Sequence, residues 1–62
     1  MEKTLLIGRR IRINHMEDLL PVPDGTEGII TGVDDLGQIQ VKWDNGSSLS
    51  VIDEIDDYEI LN

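Results

Sequence analysis

A chain of 62 residues without a single cysteine makes one small domain, 1–62, and excludes stabilisation by a disulfide or a thiolate metal site. Folding at this size hides only about 60% of the surface of the unfolded chain, and the net margin from the core is roughly 3–5 kcal/mol. Thirteen acids against five bases, a net charge of −8, argue against binding DNA or RNA, whose phosphates reward lysine and arginine. No apolar run approaches the ~20 residues of a membrane span, and Met1 to Gly8 is too short for a signal peptide. The cytoplasm is therefore the expected compartment.

Charge is unevenly placed. Lys3, Arg9, Arg10 and Arg12 face only Glu2 in the first twelve residues, whereas from Asn14 onward Lys42 is the only base among twelve acids. Along the chain, alternation dominates over helical periodicity. In RRIRIN, Ile11 and Ile13 share a face opposite Arg10, Arg12 and Asn14. The next stretch, His15 to Asp24, breaks the pattern. Pro21 and Pro23 bar a central strand, and ten residues are too many for a tight hairpin. It reads as a long excursion after the first strand. TEGIITGV resumes as a strand whose Gly28 and Gly32 permit bending, QIQVKW alternates strictly, SLSV repeats the pattern, and YEIL closes the chain.

Register follows from the turns. A two-residue Asn45-Gly46 turn would set Lys42 opposite Leu49 and mix the faces. A three-residue loop, Asp44-Asn45-Gly46, pairs Trp43 with Ser47, Val41 with Leu49 and Ile39 with Val51, with Gly46 left-handed at a G1 bulge. By the same logic, Asp35-Leu36-Gly37 pairs Val33 with Ile39, Thr31 with Val41 and Ile29 with Trp43. The expected fold is all-β: a small SH3-like barrel of about five short antiparallel strands with a long first loop. In that fold the last strand returns beside the first, bringing acids to Arg10 and Arg12. Exposed pairs of this kind are worth roughly 0.2–1 kcal/mol each, and they account for the charge asymmetry without a partner.

Residues 21–52 also carry a resemblance. Pro21, Pro23, Gly25, Thr26 and Gly28, then Val33-Asp34-Asp35, Gly37-Gln38, Val41 and the run from Trp43 to Leu49 resemble the pattern of a small bacterial and phage-associated domain family of uncharacterised function. The resemblance implies an SH3-like barrel and a prokaryotic or mobile-element setting. It implies no active site.

Chemistry is sparse. One histidine, His15, stands at the start of the irregular loop, and Ser47, Ser48 and Ser50 lack any nucleophile motif, so no enzyme is expected. The acids Asp53, Glu54, Asp56, Asp57 and Glu59 do not follow the spacing of a calcium loop, and read as a solvated edge. No cofactor or metal is expected. Trp43 and Tyr58 are too few aromatics for a polyproline groove or a methyl-lysine cage. Two functional readings follow. In the first, the protein is a non-catalytic module that binds another protein through Leu19 and Leu20, with Trp43 behind them. In the second, it is an acidic decoy that occupies the nucleic-acid site of a host protein.

Overall fold

The computed structural model describes residues 3–61, so the outermost residues of the expected 1–62 domain lie outside the described ones. A short 3-10 turn, Lys3–Leu6, precedes four strands: β1, Arg10–His15; β2, Glu27–Val33; β3, Ile39–Trp43; and β4, Asp57–Ile60. They form one antiparallel sheet in the order β3-β2-β1-β4. β4 lies beside β1, with Ile11 opposite Ile60, Arg12 opposite Glu59 and Ile13 opposite Tyr58. The last strand therefore returns beside the first, as the expected strand order has it. Among the described residues no helix is long and apolar enough to cross a membrane.

Both Asp-x-Gly turns form as expected. Gly37 N–H donates to Asp34 O and Asp34 N–H to Gln38 O, at 3.0 Å each. Gly46 N–H donates to Trp43 O at 3.0 Å and Trp43 N–H to Ser47 O at 3.2 Å. Gly37 and Gly46 take φ of 81° and 89°, a conformation that favours glycine. Beyond the first turn the register departs from expectation. Val33 does pair with Ile39, but a bulge admits Thr31 as an extra residue, so Ile30 meets Val41, Ile29 meets Lys42 and Gly28 meets Trp43. One inserted residue exchanges the faces of everything after it. Hence Ile30 is buried and Ile29 exposed.

The expected SLSV strand is reduced to one bridge, Ile39 with Val51. Four strands are described in place of five, and the sheet does not close: β3 and β4 are its two edges. The core packs on one face: Ile11 and Ile13 from β1, Ile30 from β2, Ile39, Val41 and Trp43 from β3. Leu6, Met16, Val22 and Val51 join them from outside the strands. The outer face carries the charge. Arg12 pairs with Glu59. Arg10, expected to meet the last strand's acids, instead reaches across β2, placing its guanidinium fork on Asp44 at 2.7 and 3.3 Å and on Glu27 at 3.3 Å.

Candidate functional site

The excursion between β1 and β2 is held at both ends. At its base Gly25 N–H donates to Ile13 O at 2.7 Å and Ile13 N–H to Thr26 O at 2.9 Å. Met16 and Val22 turn inward and join the core, while Pro21 and Pro23 on either side of Val22 restrict φ. Near its start, Asp18 Oδ1 accepts the N–H of Leu20 at 3.0 Å, a turn closed by a side chain rather than by the ladder. Leu19 stands at the tip of that turn, 98% exposed, with Leu20 83% exposed beside it. The loop thus separates its apolar residues into two that seal the core and two that face solvent.

Sequence reasoning missed the residue that anchors this loop. Asp56, expected in a solvated acidic edge, is only 7% exposed. Its Oδ1 accepts the N–H of Glu17 at 2.9 Å and its Oδ2 the N–H of Ile52 at 2.8 Å. One carboxylate therefore ties the start of the leucine loop to the turn before β4, where Ile55 N–H and Asp56 N–H both donate to Ile52 O. No spacing rule marks Asp56 among its neighbours.

Trp43, expected behind the two leucines, does not share their surface. It is a core side chain, 1% exposed, and its indole N–H donates to Leu49 O at 2.8 Å. Leu49 N–H turns to Ser47 Oγ at 3.3 Å. The segment 48–50 thereby leaves β3, and a pocket of about 390 Å³ opens there, lined by Val41 and Trp43 with Thr31, Gln40, Lys42 and serines 47, 48 and 50.

The remaining charged groups are mostly matched within the fold. Asp53 accepts the Tyr58 hydroxyl and lies 3.8 Å from Lys3 Nζ; Asp57 accepts Asn14 Nδ2 at 3.5 Å. His15 lies on the surface between Glu17 and Asp24, at 3.2 and 3.4 Å. The hydrogen bond from Arg10 holds the Asp44 carboxyl below its ordinary range. Partial desolvation, then the bond to Asp53, push Tyr58 up to about 12. Among the described residues no three His, Asp or Glu side chains converge as a metal-binding group.

A family model described as a domain of unknown function (DUF4314) matches residues 1–61, and the chain belongs to that family. No curated protein matches it, and no solved structure does.

Proposed function

We propose that this member of the DUF4314 family is a small non-catalytic protein-interaction module that grips another protein through Leu19 and Leu20. The observation that carries this reading is the pair's exposure, 98% and 83%, on a loop whose backbone is fixed by Asp18 and Asp56. Two leucines held outward on an ordered loop lose little freedom when a partner covers them, and pre-organisation of this kind turns contact into affinity. Trp43 supports the pocket wall beside β3 in this reading and is not an exposed anchor.

The architecture fits an SH3-like barrel left open on one side. Its strand order, its long first loop and its one-turn link from Ile52 to Asp56 support that assignment, with Val51 as the remnant of the missing strand. A cytoplasmic, bacterial or phage-encoded setting is part of the same reading. The acidic-decoy reading draws on the net charge of −8. Most carboxylates between Asp53 and Glu59, however, already hold internal partners.

The test is capture of partners from bacterial lysate by the wild type and by L19S/L20S, washed at low and then high salt. A protein held by the wild type at high salt and lost by the variant supports the module. A nucleic-acid-handling protein released from both by salt supports the decoy, because exposed charges are screened beyond about 8–10 Å near physiological ionic strength.

A further inference from the structure

Strand geometry identifies an unmet pair of backbone groups at the edge of β3. Residues alternate in the side to which their N–H and C=O point. On this edge Ile39 exchanges both bonds with Val51, at 2.9 and 2.8 Å, and Trp43 N–H donates to Ser47 O. Asp44 N–H points the other way, to Glu27 O of the β2 segment. Val41, between Ile39 and Trp43, therefore directs its N–H and C=O toward residues 48–50. Its natural partner there, Leu49, has its carbonyl on the Trp43 indole and its N–H on Ser47 Oγ. Among the described residues nothing bonds Val41 on this side, although the residue is only 3% exposed. Buried backbone donors and acceptors are almost always paired.

The pocket of about 390 Å³ at this gap falls within the size range of ligand sites. Its wall is unusual for so acidic a chain. Ser47, Ser48, Ser50, Thr31, Gln40 and Lys42 line it, and no Asp or Glu does. Lys42 has no carboxylate within ion-pair distance among the described residues, whereas Lys3 and Arg12 each have one and Arg10 has two.

We infer that the gap beside Val41 is a slot for an extended peptide segment bearing a carboxylate. The peptide backbone adds to β3 by exchanging hydrogen bonds with Val41, as in strand addition. The carboxylate meets Lys42 and accepts from the serine hydroxyls. This site lies apart from the leucine loop and does not rest on it.

The test uses the full chain, labelled with nitrogen-15, and reads amide exchange and chemical shifts. In the free protein, Val41 N–H should exchange with solvent at least tenfold faster than Ile39 N–H. Equal protection would mean residues 48–50 close onto Val41 in solution, and would overturn the inference. The blocked peptide acetyl-Thr-Glu-Val-Glu-Thr-amide is then added, with its Gln-for-Glu analogue as control. The slot predicts a saturable downfield shift of the Val41 amide proton, its protection from exchange, and at least threefold weaker binding of the Gln peptide. In K42A that preference should vanish, with the Ile39 and Trp43 amide shifts reporting an intact fold. An unmoved Val41 amide, equal binding of the two peptides, or a preference that survives in K42A would each overturn it.

Discussion

The indole N–H of Trp43 donates to the carbonyl of Leu49 at 2.8 Å, at the place where the ladder beyond β3 lacks its Val41–Leu49 pair. A buried aromatic with a polar tip needs a partner for the tip. The available acceptor is the carbonyl that regular pairing would assign to Val41. Trp43→Phe removes the donor and leaves a small void, so it should lower stability by about 1–3 kcal/mol. Urea unfolding followed by far-ultraviolet circular dichroism reads this; an unchanged midpoint would mean that the bond contributes nothing.

Gly28 faces the same tryptophan across the sheet. A Cβ there would lie 2.6 Å from Lys42 O, 2.8 Å from Val41 Cγ1 and 2.9 Å from Trp43 Cα, and two of those three are backbone atoms that cannot swing away. Gly28→Ala should therefore cost about 1–3 kcal/mol or more, a large share of the roughly 3–5 kcal/mol that a core of this size provides. Thermal melts should show a midpoint lowered by roughly 4–8 °C per kcal/mol lost. Wild-type stability would mean that β2 and β3 sit farther apart.

Asp56 makes the next prediction. Asp56→Ala strands the N–H groups of Glu17 and Ile52, each bonded to a charged acceptor, a class worth about 1.5–3 kcal/mol per bond. A loss of about 2 kcal/mol or more is expected in urea. Asp56→Asn keeps one acceptor oxygen and should fall between the variant and the wild type. Amide exchange at Glu17 and Leu20 should quicken in both, because the clasp anchors the leucine loop. Unchanged exchange there would separate the clasp from the loop.

Tyr58 sets an alkaline limit. Its hydroxyl, partly desolvated and bonded to Asp53, is pushed up to about 12 from an ordinary value of 10.0. Above pH 10 the unfolded chain loses this proton while the folded chain keeps it, so the stability it contributes is intact below pH 10 and is lost as pH rises to about 12. Ultraviolet titration of tyrosinate should give the raised value, and Tyr58→Phe should flatten this part of the alkaline decline. Titration of the wild-type tyrosine near 10 would remove the premise.

The parts of the fold that could be read from the chain are those fixed by local chemistry. Asp35-Leu36-Gly37 and Asp44-Asn45-Gly46 need a left-handed glycine at the same place in each loop, so Val33–Ile39, Trp43–Ser47 and Ile39–Val51 follow. Thr31 is different. Alternation is equally good with or without a bulge, and only packing between Ile30 and the core decides which isoleucine turns inward. SLSV carries strand-like alternation, yet only Val51 of it pairs with β3, and the Leu49 carbonyl serves the Trp43 indole six residues back. The loop leucines were named from the sequence, but their exposure depends on Met16 and Val22 taking the core positions first. Asp56 is one carboxylate among several in its segment, and only the placement of Glu17, 39 residues away in the chain, distinguishes it.

The most direct test of the central claim compares urea stability and partner binding in the same L19S/L20S preparation. Leu19 and Leu20 are exposed, so the account predicts an unfolding midpoint equal to that of the wild type, together with loss of the partner that the wild type retains at high salt. A lowered midpoint would make the two leucines part of the core. An equal midpoint with undiminished binding would place the interface elsewhere on the molecule.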